Sequence, residues 1–218
     1  MLKINFQTAC FLNSAPSIKE CPPENGVEVA FAGRSNAGKS SSINRLTRQT
    51  KLARTSKTPG RTQLLNYFTL HDNAHLRLVD LPGYGFAKVP LAMKKAWEKS
   101  MSQYLRERES LQGIVVVMDI RRPMQDLDTT LLNWAVDVEL PVHILLTKSD
   151  KLNRGAAKNT LLTVQKQLAE ANIDDLVSVQ TFSALKGDGV TELEQRITSW
   201  MMVEGVFGEQ SRELPEEG

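Results

Sequence analysis

Between the apolar run Val27-Glu28-Val29-Ala30-Phe31-Ala32 and the helical segment Ser41-Ser42-Ile43-Asn44-Arg45-Leu46 lies Gly33-Arg34-Ser35-Asn36-Ala37-Gly38-Lys39-Ser40. It has the form G-x-x-x-x-G-K-[ST], the phosphate-binding loop. The pattern constrains the fold because it works only as a turn from a buried strand into a helix. The glycines let the backbone curl so that successive N–H groups point at phosphate oxygens, and the following helix N-terminus favours anions. Lys39 would place its ammonium on the β- and γ-phosphates, and Ser40 would offer a hydroxyl to Mg²⁺. The eight residues are expected to bind a nucleoside triphosphate. The loop alone specifies neither the base nor the purpose of hydrolysis.

Strand-like and helix-like segments alternate along the chain. Residues 27–32, 64–70, 75–80, 111–119, 142–147 and 176–181 are short β-branched or apolar runs, and 39–49, 91–107, 126–137, 155–171 and 190–202 have helical periodicity. Such alternation implies a mostly parallel sheet with helices on both faces. Only His71-Asp72-Asn73-Ala74 separates the second and third strands, too few residues for a crossover, so that pair is an antiparallel hairpin. The expected fold class is α/β, a Ras-like P-loop NTPase with a six-stranded, mostly parallel sheet, one antiparallel edge strand and helices on both faces. The chain has 218 residues, enough for one domain with short extensions. We expect an N-terminal extension over 1–26, closed by Pro22-Pro23, the nucleotide domain over 27–205, and a flexible acidic tail over 206–218. Hydrophobic content of 41% and charged content of 24% fit a soluble globular protein. No apolar run approaches the roughly 20 residues that span a bilayer. No signal-peptide pattern is present, and Cys10 and Cys21 match no metal or redox spacing, so a cytoplasmic location without membrane insertion is expected.

Three further segments narrow the chemistry. Asp80-Leu81-Pro82-Gly83 follows the strand Leu76-Arg77-Leu78-Val79 and falls 41 residues after Lys39. A carboxylate at the end of that strand sits beside the phosphate loop, where it would hold Mg²⁺ through water, and the Gly83 amide would meet the γ-phosphate. Thr147-Lys148-Ser149-Asp150 ends the strand Val142-His143-Ile144-Leu145-Leu146 and reads as [N/T]-K-x-D, with Thr147 in place of the more usual Asn. Asp150 can accept bonds from N1–H and the 2-amino group of guanine. Adenine offers neither donor, so it would be rejected on the order of 10⁴-fold. The Lys148 stem can lie along the base. Phe182-Ser183-Ala184, after the strand Leu176–Thr181, would complete the base pocket with a backbone N–H to guanine O6. The segment between Ser40 and the second strand is the expected switch loop. Of Thr55, Thr58 and Thr62, the last is the first choice as a Mg²⁺ ligand, because Pro59-Gly60-Arg61-Thr62-Gln63 and Leu64 deliver it to the strand; Thr58 is the second. The expected cofactors are GTP or GDP and Mg²⁺. The metal ligands are Ser40 and Thr62, with Asp80 through water.

The ordered set GRSNAGKS, TPGRTQ, DLPGYG, TKSD and FSA, together with Ser14-Ala15-Pro16-Ser17 and Pro22-Pro23, resembles the EngB family (also called YsxC or YihA) of bacterial GTPases, within the TrmE–Era–EngA–YihA–Septin class. The resemblance covers roughly residues 5–205. It implies a cytoplasmic GTP-binding protein that assists assembly of the large (50S) ribosomal subunit, binds that subunit or its precursor through rRNA and ribosomal proteins, and is linked to cell division and septation; a monomer is expected.

Two positions bear on hydrolysis. Ras-type sites place a water-orienting Gln directly after Asp-x-x-Gly. Here that position is Tyr84, so slow intrinsic hydrolysis of GTP to GDP and phosphate is expected, stimulated by a partner or by potassium. No residue is assigned as catalytic; Lys39 and Asn36 are the candidates for phosphate and cation contact. The resemblance implies that Asn36 ligates a K⁺ ion bridging the phosphates; the alternative is that it only stabilises the loop turn. A guanine-nucleotide-sensing scaffold with negligible hydrolysis is the second reading of the whole chain, and an ATP-using kinase or transport ATPase is disfavoured by Asp150. The net charge of +2 does not itself indicate nucleic acid. However, Arg45, Arg48, Lys51, Arg54, Lys57 and Arg61 follow one another without an intervening acid, and Lys88, Lys94, Lys95 and Lys99 add a second basic stretch softened by Glu98. These stretches suit either a solvated face or an RNA-rich partner.

Overall fold

The structure, a computed structural model, describes residues 4–53, 64–85 and 91–202. Its elements run β1 (Cys10–Ala15), β2 (Val27–Gly33), α1 (Lys39–Leu46), β3 (Leu65–Leu70), β4 (Asn73–Asp80), α2 (Leu91–Glu107), β5 (Leu111–Asp119), α3 (Asp126–Asp137), β6 (Val142–Thr147), α4 (Arg154–Glu170), β7 (Val177–Thr181) and α5 (Val190–Met201). The sheet order is β1-β3-β4-β2-β5-β6-β7. The five strands β4, β2, β5, β6 and β7 are parallel neighbours, and β3 runs antiparallel to both β4 and β1.

The sheet therefore has seven strands, not six. The added edge strand, β1, comes from the segment read as an N-terminal extension. Its residues Cys10, Phe11 and Leu12 are all exposed, so it lacks the alternation by which strands are recognised in sequence. The β3–β4 hairpin is also tighter than expected. His71 and Asp72 both take positive φ, 55° and 52°, which makes a two-residue type I′ turn and lets β4 begin at Asn73. Helix α1 ends three residues earlier than its periodicity suggests. Arg48 adopts φ 55°, its N–H bonds Arg45 O, and the Gln49 N–H reaches back to Asn44 O, a Schellman closure built without glycine.

Alternation along β2 divides the core between the two faces of the sheet. Val27, Val29 and Phe31 pack with Ile43 and Leu46 of α1 and Leu193, Ile197 and Met201 of α5. Ala30 and Ala32 face the other cluster, with Trp97, Met101 and Tyr104 of α2, Leu131, Leu132 and Ala135 of α3, and Val164 and Leu168 of α4. Each fully buried aliphatic side chain contributes roughly 1.5–3 kcal/mol. Because the central strands run parallel, Gly33, Asp80, Asp119, Thr147 and Thr181 all end at one edge of the sheet, where ligands of doubly wound sheets bind.

One buried polar group makes this core sensitive to acid. His143 of β6 is 2% exposed, with Nδ1 2.8 Å from Ser178 Oγ and Nε2 2.8 Å from Gln180 Oε1. Burial lowers its pKa to about 4, against the opposing bond from Gln180. The folded ring stays neutral where the unfolded ring, with a pKa near 6.5, takes up a proton. This stability is complete above pH 6.5 and is lost as the pH falls through 4. Urea unfolding should show about 2 kcal/mol lost from this group between pH 7 and pH 5. The variant His143→Gln should flatten that part of the pH profile.

Candidate nucleotide site

The phosphate loop spans the turn from β2 into α1. A Cβ on Gly33 would lie 2.7 Å from Val117 O, so only glycine permits this approach of β2 to β5. Gly38, at φ 108°, caps α1 in a conformation L side chains rarely adopt. Asn36 has φ 63° and is exposed; Asn tolerates this left-handed conformation better than most residues. The loop is tied at both flanks. Ser35 N–H donates to Tyr84 O (2.7 Å) and Tyr84 N–H to Gly33 O (3.3 Å). On the other flank, the Thr147 hydroxyl lies 2.5 Å from Ala37 O and 3.0 Å from Met118 O, bridging the loop to β5 and β6.

Lys39 is the first residue of α1 and Ser40 the second. The Lys39 ammonium pairs with the carboxylate of Asp80 at the end of β4, and both side chains are largely buried. Phosphate oxygens would give the ammonium an alternative partner. Beyond Asp80, Leu81 is buried and its N–H bonds Phe31 O (2.9 Å), the Pro82 carbonyl accepts from Trp97 Nε1 (3.3 Å), and Gly83 lies against Gly33 and Ser35. Among the described residues no three His, Cys, Asp or Glu side chains gather as a metal cluster. Mg²⁺ takes one or two protein oxygens and completes its octahedron with phosphates and water. Ser40 and Asp80 are hard oxygen donors of that kind. Gly60, Arg61, Thr62 and Gln63, with Thr55, Thr58, Arg54, Lys57 and Lys88, lie outside the described residues; Leu64 is half-buried and leads into β3.

The base end of the cleft is built by the loops after β6 and β7. Lys148, at φ 59°, donates to Asn36 O (2.6 Å) and Asp119 Oδ2 (2.9 Å), which stretches its stem across the cleft. Ser149 N–H bonds the carbonyl of Phe182, whose side chain is fully buried and whose own N–H bonds Leu146 O. The Ser183 hydroxyl donates to Asp150 Oδ1 (2.7 Å) and accepts from Lys186 N–H (3.1 Å). That hydroxyl, foremost among several contacts, holds the Asp150 carboxyl below the usual carboxylate range. A cavity of about 740 Å³ is lined by Gly38, Thr147, Lys148, Asp150, Ala184 and Leu185, among others.

Three participants were missed in the sequence. Asp119 binds Arg121 through both oxygens (2.9 and 2.7 Å) as well as Lys148. Chiefly the Arg121 bonds, with those of Lys148, hold the Asp119 carboxyl well below its ordinary range despite burial. Its position at the end of a buried strand, like Asp80, was the available signal. Leu185 is 74% exposed beside the base cavity. Asp128 accepts the Tyr84 hydroxyl (2.7 Å), so the tyrosine at the water-orienting position points into the core, 3% exposed. Burial, then the neighbouring Asp128, pushes the Tyr84 hydroxyl pKa well above normal.

The family described as "50S ribosome-binding GTPase" matches residues 28–148. The "Probable GTP-binding protein EngB" of Psychromonas ingrahamii is 60% identical over 202 residues, 91% of each chain. The protein of the same description from Vibrio parahaemolyticus is 52% identical over 217 residues, covering 99% of this chain and 97% of the other. A solved structure described as a probable GTP-binding protein engB shares the fold at a TM-score of 0.64 and 23% identity, over 80% of this chain and 98% of the other. A chain that sets Lys39 of its phosphate loop against Asp80, and braces Asp150 after β6 with Ser183, thus belongs to the EngB family of the 50S ribosome-binding GTPases.

Proposed function

We propose that this protein is a guanine-nucleotide switch that binds GTP with Mg²⁺, hydrolyses it slowly, and acts in the cytoplasm during assembly of the large ribosomal subunit, with a link to cell division and septation. The observation that carries the reading is the pairing of Lys39 with Asp80 at the phosphate loop, together with Asp150, bonded to Ser183, in the cavity that also reaches Gly38 of that loop. Ser40 and Thr62, with Asp80 through water, would hold the metal, which would supply charge neutralisation at the phosphates. Lys39 exchanges Asp80 for phosphate oxygens, and Asp150 and the loop at Ser183-Ala184 select guanine. The ribosomal role draws on the description "50S ribosome-binding GTPase", and the exposed cations Arg45, Arg48 and Lys51 offer RNA phosphates a footprint. Competition of GTP against ATP tests the nucleotide. Salt-dependent co-sedimentation with large-subunit particles, weakened in an Arg48→Glu/Lys51→Glu variant, tests the partner. Equal retention of that variant would remove this surface from the reading.

A second reading, a nucleotide-sensing scaffold with negligible hydrolysis, is favoured by the inward turn of Tyr84, which leaves the water-orienting position without a polar group facing the phosphates. Single-turnover hydrolysis with and without large-subunit precursors separates the two. The exposed Asn36 side chain within the phosphate loop supports a monovalent-cation role. Hydrolysis should therefore run faster in potassium than in sodium buffer at equal ionic strength, and Asn36→Ala should abolish the difference. Equal rates in the two salts would reduce Asn36 to a turn residue.

A further inference from the structure

Tyr84 is held from three sides. Its backbone makes a parallel bridge to Arg34, through Ser35 N–H to Tyr84 O (2.7 Å) and Tyr84 N–H to Gly33 O (3.3 Å). Its ring lies 4.9 Å from that of Trp97 in α2, and the Trp97 indole donates to Pro82 O (3.3 Å). Its hydroxyl donates to Asp128 Oδ1 (2.7 Å), while Asp128 Oδ2 accepts from Gln125 N–H (3.0 Å) to close the capping box of α3. Arg34 completes the junction. A Cβ on Gly85, which has φ 71°, would lie 2.9 Å from Arg34 Nε, so the guanidinium occupies the space a side chain there would need. Gly83 sits between these anchors: a Cβ on it would be 3.6 Å from Gly33 O and 3.7 Å from Ser35 N. The position of Gly83 is thus set by the restraints on Pro82 and Tyr84, its two neighbours.

We propose that Tyr84 is a positioning residue: its bond to Asp128, with Arg34 packed on Gly85, holds Gly83 against the phosphate loop so that a third phosphate meets a pre-set amide and is registered at the N-terminus of α3. The inference rests on the guanine-nucleotide reading above. The first two phosphates are bound by residues 33–40, whose glycines and ties at Ala37 do not depend on the tyrosine hydroxyl. Releasing Tyr84 adds an ordering cost to the triphosphate alone. The coupling is specific to this pair. Both side chains are almost fully buried, at 3% and 1% exposure, so the bond is largely shielded from solvent.

The test is Tyr84→Phe, which keeps the ring and removes the hydroxyl. Affinity for the non-hydrolysable β,γ-imido analogue of GTP should fall about fivefold, the loss expected for one buried hydrogen bond, while affinity for GDP stays within about twofold. The triphosphate-minus-diphosphate difference in tryptophan emission should shrink as well, because the Trp97 ring packs against this one, tilted by 45°. Asp128→Asn keeps an acceptor oxygen and should give a smaller shift in the same direction, which secures the test if Tyr84→Phe folds poorly. Equal weakening for both nucleotides would show a merely structural tyrosine, and unchanged affinities would show that the bond positions nothing; either overturns the inference. Failure of the unmodified protein to bind either guanine nucleotide would overturn the underlying reading as well.

Discussion

Asp150→Ala should lower the affinity for GTP by on the order of 10³-fold and leave that for ATP almost unchanged. The carboxylate is set up to accept. Its Oδ1 is fixed by the Ser183 hydroxyl at 2.7 Å, its Oδ2 lies 3.6 Å from Lys151 Nζ, and the Ser183 bond holds its pKa below the ordinary range, so it is fully ionised at neutral pH. Two bonds from guanine to a charged acceptor contribute about 1.5–3 kcal/mol each, which sums to roughly 10²–10⁴ in affinity. ATP forms neither bond and loses nothing. Asp150→Asn sharpens the result, because its amide can accept from N1–H and donate to a 2-oxo group, so the preference should move from guanine toward xanthine. Calorimetric titration with GTP, XTP and ATP measures all three. A parallel loss for GTP and ATP would mean that Asp150 supports the loop rather than reads the base. Ser183→Ala should reproduce a milder form of the same selectivity change, since it frees the carboxylate to rotate without removing it.

Legibility in the sequence followed how locally each feature is specified. The phosphate loop was readable because its geometry depends on two glycines and a lysine within eight residues. Asp80 and Asp150 were readable because each follows an apolar strand directly, and parallel strands bring their carboxyl ends to one edge. Strand β1 was not readable, because an edge strand exposed at Cys10, Phe11 and Leu12 carries no period. The two-residue turn at His71-Asp72 was placed but not sized, since its tightness depends on two residues accepting positive φ. Contacts across long separations were invisible: Tyr84 with Asp128, 44 residues apart, and Lys148 with Asp119, 29 apart, become partners only once β5 lies between β2 and β6. Tyr84 was readable as a missing glutamine but not as an inward-facing donor, because nothing near it in the sequence names its acceptor.

Glu28→Ala should destabilise the folded protein by about 3–5 kcal/mol, a large share of the 5–15 kcal/mol typical of a domain. Glu28 lies in the central strand β2 with no exposed surface, an unusual place for a carboxylate unless it is matched. Here it is matched twice. Arg108 reaches it through Nε (2.8 Å) and Nη2 (2.5 Å), and Arg77 through Nη1 (3.1 Å). The same guanidinia hold the chain that precedes β2: Arg108 binds Pro22 O and Glu24, and Arg77 binds Pro23 O and Asn25. Removing the carboxylate leaves Arg108 with only the partly exposed acid Glu24, and Arg77 with only neutral acceptors, the carbonyls of Ala74 and Pro23 and the Asn25 side chain. The cost is the desolvation of those cations rather than the value of the pair, so Glu28→Gln, which still accepts hydrogen bonds, should cost less than the alanine variant. Replacing Glu28, Arg77 and Arg108 together by apolar residues of similar volume should recover much of the loss. Urea titration measures the three variants. Limited proteolysis of Glu28→Ala should also cut first within residues 16–26, because both arginines that strap this segment lose the group that fixes them. Resistance there, with an unfolding midpoint close to the unmodified protein, would show that the segment is held by β1 pairing with β3 alone.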